Sequence, residues 1–174
     1  LCRLLEDSNI NVKWRGSSDT EVLLEAIDAW GLSSTLKKCE GMFALALWDS
    51  IEKKLYLSRD RFGEKPLYYG NVGRDFLFGS ELKAFRTHPE FNNKLDRSTI
   101  SSFLAYSHVP APSSIFQNIF KLQPAHILCV DFERNKKSLS TYWSLEDSTK
   151  LNYKDKSNNR ELILNELHKK LNIA

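Results

Sequence analysis

Residues 54–79, KLYLSRDRFGEKPLYYGNVGRDFLFG, decide the fold. The opening KLYLSR sets Leu55 and Leu57 against Tyr56 and Ser58, the period of two that gives a strand unlike faces. Two further short apolar runs, LYYG and FLFG, enclose NVGRD, whose Gly73 and Asp75 are turn formers. Strands this close together are joined by hairpins and pair antiparallel, because a parallel crossover needs a dozen or so residues of its own.

Working outward, the upstream run Met42–Trp48 is apolar throughout and too short for a typical helix. Such a run predicts a strand covered on both faces. DSIEKK supplies the turn between it and the next strand. Downstream, VPAPSS is an ordered proline loop, and IFQNIFKLQPAHILCVDF and KSLSTYW read as strands.

Helices flank this β-rich centre. In SSDTEVLLEAIDAWG, Ser18 and Glu21 have the spacing of a capping box, Asp19 puts a carboxylate in the positive first turn, and Gly31 is a stop. Val22, Leu23, Ala26, Ile27 and Trp30 then share one face. A short helix is expected around Ser33–Cys39. Ser80 is expected to cap ELKAFRT, and Asp96 to cap RSTISSFLAYSH. LCRLLEDSNI is helical in pattern from its first residue. From Leu145 to Asn159 the chain turns polar, which predicts a linker, and Glu161–Asn172 reads as an amphipathic helix. The fold class is α/β, with mostly antiparallel, buried sheets and helices packed outside them.

Composition narrows the function. The chain has 174 residues, 41% hydrophobic and 27% charged, with a net charge of +3, which points to a globular domain and gives no electrostatic ground for a nucleic-acid partner. No apolar run approaches the ~18 residues that would span a bilayer. Cys2, Cys39 and Cys129 are odd in number and widely spaced, as suits a reducing cytoplasm rather than a disulfide framework. The chain starts at Leu1 and stops within a helical pattern, so a segment of a longer protein is expected.

Few residues carry chemistry on their own. His88, His108, His126 and His168 have no recognisable partner and read as structural, and no metal-ligand spacing, phosphate loop or nucleophile elbow is present. Cys2 is preceded by Leu1 in a helical context, which weighs against an N-terminal nucleophile. RDRFGEKPLYYG interleaves Arg59, Arg61 and Lys65 with aromatic residues, as a single-strand nucleic-acid groove does. Asp60 and Glu64 break up that charge, and the arginines and acids are instead expected to fix a tight loop about Gly63.

RDRFGEKPLYYG followed by FGSELKAF closely resembles the glutamine-hydrolysing asparagine synthases. GSSDTEVLL, EGMFALALWD, LDRSTISSFLAYSHVPAPSSIF and KLQPAHIL resemble the same family in the same order, so the likeness runs from about Gly16 to Trp143. It implies a class II glutamine amidotransferase domain with the N-terminal-nucleophile hydrolase fold, an αββα sandwich, present here as its rear part over 1–144. A linker over 145–159 and the start of a synthetase domain over 160–174 would follow.

The resemblance further implies that the Met-Cys-Gly nucleophile segment precedes Leu1, leaving no catalytic residue and no metal ligand in this chain. Asp19 matches the aspartate that accepts hydrogen bonds from the α-amino group of glutamine. Arg59, Asp60 and Arg61 match loop architecture, and Ser80, Glu81 and Lys83 a helix start and domain interface. ATP and magnesium would bind a C-terminal domain that activates aspartate. The implied partners are glutamine, aspartate and ATP, with no nucleic acid or membrane, a homodimer being compatible, in the cytoplasm. Two alternatives stay open: an amidotransferase of the family acting on another carboxylate acceptor, and a non-catalytic interaction module.

Overall fold

A computed structural model describes residues 1–8, 10, 12–92, 94–152 and 160–173. The chain divides into two compact units, Leu1–Trp143 and Ser144–Ala174.

In the first unit the elements run α1 (Cys2–Asp7), α2 (Asp19–Trp30), α3 (Leu32–Lys38), β1 (Ala44–Asp49), β2 (Lys54–Arg59), β3 (Tyr68–Val72), β4 (Asp75–Gly79), α4 (Leu82–Phe85), α5 (Arg97–Tyr106), β5 (Ile119–Lys121), β6 (His126–Asp131) and β7 (Lys136–Thr141). A four-stranded sheet has the order β1-β2-β6-β7 and a three-stranded sheet the order β4-β3-β5. Every pairing among these strands is antiparallel.

Three apolar clusters define four layers. Leu55, Leu57, Leu128 and Val130 of the larger sheet meet Leu67, Leu122, Tyr69 and Phe76 between the two sheets. These leucines and valine alternate along β2 and β6 and face each other in register, Leu55 with Val130 and Leu57 with Leu128. The opposite face of that sheet, through Ile127, Leu45 and Tyr56, packs on Leu32 and Leu36 of α3. On the far side, Phe85 and Leu82 of α4 cover Val72 and Ile119. The layering is helix, sheet, sheet, helix.

Several expectations change. β1 is not covered on both faces: it is the outer strand of its sheet, and Trp48 is 50% exposed. Ala46 and Trp48 pair with Leu57 and Leu55 and so share the face that looks between the sheets. A three-stranded sheet is too narrow to cover both outer strands of a four-stranded one. Ser80 does not cap α4, whose N-cap position is Glu81 with no side-chain hydrogen bond. Asp96 does cap α5, accepting from the Ser98 N–H at 2.9 Å.

In the second unit, α6 (Leu145–Asn152) is helical where polar composition predicts a linker. Ser144 explains it locally: its Oγ accepts from the Asp147 N–H at 3.1 Å and donates to the Asp147 carboxylate at 2.6 Å. Residues 153–159, the rest of the expected linker, lie outside the described residues. The last helix is α7 (Arg160–Ile173), one residue longer at each end than its pattern predicts.

Candidate functional site

Asp19 is the first residue of α2, and Ser18 sets the helix start there by accepting the Thr20 N–H at 3.2 Å. The reciprocal half of the predicted capping box does not form. Glu21 turns instead to the incoming loop, where its carboxylate accepts the N–H groups of Arg15 at 2.7 Å and Gly16 at 2.9 Å. The acid that composition assigns to the cap thereby fixes the direction from which the chain enters α2. Asp19 is left exposed, its carboxylate without a hydrogen bond or ion pair to any described residue.

That free carboxylate lines a cleft of about 930 Å³ bounded by α1, α2 and the outer strand β1. Leu23, Leu24 and Ile27 of α2 face Phe43, Leu45 and Leu47 across it, and Arg3, Asp7, Lys38 and Glu40 add charge at its margins. Cys39 also lines the cleft, and burial pushes its thiol above the ordinary range. It is a neutral thiol at pH 7, not an activated nucleophile. Cys2 is exposed on α1. Asp19 alone of these cleft residues is marked as ligand-binding in the sequence; Leu23, Ile27 and the Met42–Trp48 run show only as helix and strand faces, because the fold brings these distant segments together.

Beneath the cleft, at the end of β2, Arg59 and Asp60 build the loop expected about Gly63. The Arg59 guanidinium donates to the carbonyls of Lys65 at 2.6 Å and Leu122 at 2.8 Å, and to that of Gly63. Asp60 is 1% exposed and accepts the N–H groups of Phe62 at 3.2 Å, Glu64 at 2.9 Å and Lys65 at 2.9 Å. Burial alone would raise this carboxyl, but the backbone donors of residues 62–65 outweigh it and hold it below the ordinary carboxylate value. Gly63 has φ +68°, and a Cβ there would lie 2.8 Å from Pro124 and 2.9 Å from the Arg59 guanidinium carbon. Arg61 leaves the loop, donating to the Lys37 carbonyl at 2.7 Å and lying over the Trp143 ring. The Arg59 and Asp60 side chains are thus spent on backbone groups, whereas the buried Nε of Arg61 has no hydrogen-bond partner among the described residues.

Two of the four histidines make structural contacts. His88 bonds Asp75 at 3.0 Å, while His126 bridges the Pro124 carbonyl and the Thr141 hydroxyl. Among the described residues no three His, Cys, Asp or Glu side chains gather as a metal site, and no helix is long and apolar enough to cross a membrane.

The family profile of the glutamine amidotransferase domain matches residues 4–143, the whole of the layered unit apart from its first three residues. The chain belongs to this family.

Two relatives of the amidotransferase chain are named as glutamine-hydrolysing asparagine synthetases. Number 3 of Bacillus subtilis is 35% identical over 147 residues, covering 81% of this chain and 24% of the relative. A putative one, number 2 of Methanocaldococcus jannaschii, is 33% identical over 139 residues, covering 79% and 27%. The chain thus spans about a quarter of the length of these relatives. Among solved structures, the glutamine phosphoribosylpyrophosphate amidotransferase of B. subtilis, complexed with ADP and GMP, superposes with a TM-score of 0.55 at 18% identity over 82% of this chain and 27% of that one. That likeness establishes the fold, the N-terminal-nucleophile sandwich that the four layers display.

Proposed function

We propose that this amidotransferase chain is the rear part of a glutaminase domain that supplies ammonia for amidation of aspartate to asparagine. The observation that carries the reading is the uncommitted Asp19 carboxylate, presented by a fixed helix start at the wall of an open cleft. A carboxylate only accepts hydrogen bonds, and an ammonium only donates them, so Asp19 is suited to the α-amino group of an amino acid. Its neighbours do not compete for it: Ser18 is occupied with the Thr20 N–H and Glu21 with residues 15 and 16.

The reading assigns the thiol nucleophile to a segment before Leu1, seated against the open edge of β1, where it would reach a glutamine held by Asp19. Attack of that thiol on the side-chain amide would release ammonia and leave an acyl-enzyme for hydrolysis. ATP and magnesium belong, in this reading, to a synthetase domain after Ala174, of which α7 is the entry helix. No residue of this chain is assigned to them. In this reading the protein works in the cytoplasm on glutamine, aspartate and ATP.

The test is Asp19→Asn in the full-length enzyme, which keeps the shape and removes the charge. Loss of a charge-assisted bond of about 1.5–3 kcal/mol should lower glutamine-dependent kcat/KM by roughly 10- to 100-fold. Synthesis from ammonium chloride at matched ATP and aspartate should survive. Equal losses with both nitrogen sources would make Asp19 a residue of the fold, and no loss would leave it an ordinary acid at a helix start.

A further inference from the structure

The sandwich gapes on the flank opposite the Asp19 cleft. β7 ends the larger sheet and β5 the smaller one, and between them lies a wedge of about 610 Å³, within the size range of ligand sites. Register fixes what faces into it. Leu139 pairs with Leu128 and Lys137 with Val130, both core residues, so Leu139 and Lys137 point between the sheets. Across the gap, Tyr69 pairs with Phe120, and their rings lie 5.8 Å apart. Although they occupy inner faces, Leu139 is 48% and Phe120 43% exposed.

We propose that this wedge binds a small aromatic carboxylate. The ring would enter between Leu139 and the Tyr69–Phe120 wall, above a floor made by Leu128 and the bare backbone of Gly70. Gly70 pairs with Ile119, and a Cβ there would meet the Asn118 carbonyl at 2.2 Å and Ile119 on the α4 side of the small sheet, so close packing on that side requires glycine. Lys137 supplies the charge. Among the described residues that line the wedge it is the only charged side chain, and no carboxylate opposes it. One of its three N–H donors goes to Asn71 Oδ1, and its charge sits 4.8 Å from the Phe76 ring centroid, leaving donor capacity toward the opening. Lys137 is exposed overall, and partial burial of its ammonium draws its pKa below the ordinary lysine value. Asn118 also lines the wedge.

The probe is 2-naphthoate, titrated into the full-length enzyme by calorimetry and by amide chemical shifts, with neutral 2-naphthamide and acetate as controls. Saturable one-to-one binding is expected, with shifts centred on Gly70, Asn118, Ser138 and Leu139. Lys137→Met should weaken naphthoate by about tenfold or more and leave naphthamide unchanged, and Lys137→Arg should restore most of the affinity. Phe120→Ala should weaken both aromatic ligands. The proposal is overturned by non-saturating binding, by shifts centred on α2 and β1, or by a Met variant that binds naphthoate as well as the parent does.

Discussion

Asp60 shows how a single buried charge is made affordable. Its oxygens meet the backbone N–H groups of residues 62, 64 and 65, so the carboxylate exchanges water for fixed donors. Its folded-state pKa is depressed, so its contribution is fully present above the ordinary carboxylate pKa of about 4 and is lost as pH falls through the lower folded value. Asp60→Asn should therefore cost about 1–3 kcal/mol at pH 7 and flatten the acid limb of stability, as measured by urea melts from pH 7 to pH 3. Arg59 works by the opposite charge on three carbonyls. Arg59→Lys keeps the charge but cannot span them, and a loss of about 3 kcal/mol is expected in the same melts. A shift below about 0.5 kcal/mol would mean that the loop holds without its guanidinium fork.

At the level of elements, α2 and β1 frame the cleft by different means. α2 depends on its first turn: Ser18→Ala should cost about 1 kcal/mol. Glu21→Gln should cost less in stability but loosen residues 15 and 16, read as faster amide exchange there. β1 depends on its neighbours. Its outer backbone edge has no strand partner among the described residues, and Trp48 is half exposed beside it. Such an edge invites pairing with another chain. The isolated chain should self-associate and bind a hydrophobic dye, and Trp48→Lys should reduce both in sedimentation and dye-fluorescence assays. A monomeric parent that binds no dye would show that the edge is already blunted.

For the molecule as a whole, the layered architecture was legible where local chemistry is decisive. The hairpin β3–β4 announces itself through Gly73 between apolar runs, and α5 through Asp96. Burial on both faces of β1 was misread because an apolar run records side chains and not the width of the sheet packed against them. α6 was missed because Ser144 and Asp147 cap a helix of polar residues that has little apolar periodicity to detect. Of the candidate site, Asp19 could be named from the chain's resemblance to a known family, whereas the cleft walls could not, since only the tertiary fold brings α2 opposite β1. The wedge on the other flank had no local signature either. It exists because two sheets of unequal width are stacked, a property of no single segment.

The pairing of β2 with β6 also bears on how the protein is made. β1 can pair with β2, and β6 with β7, as soon as each hairpin leaves the ribosome, but the contact that unites the larger sheet joins Lys54–Ser58 to Ile127–Asp131. The smaller sheet's hairpin is synthesised in the interval. At roughly 5–20 residues per second, the ~70 residues between the two partners take about 4–14 s to emerge. Throughout that time a nascent β1–β2 hairpin shows Leu55 and Leu57 to the solvent with its second edge open. The middle of the sandwich thus waits for β6 long after its first hairpin is made, and that is the interval in which a chaperone would have most to hold.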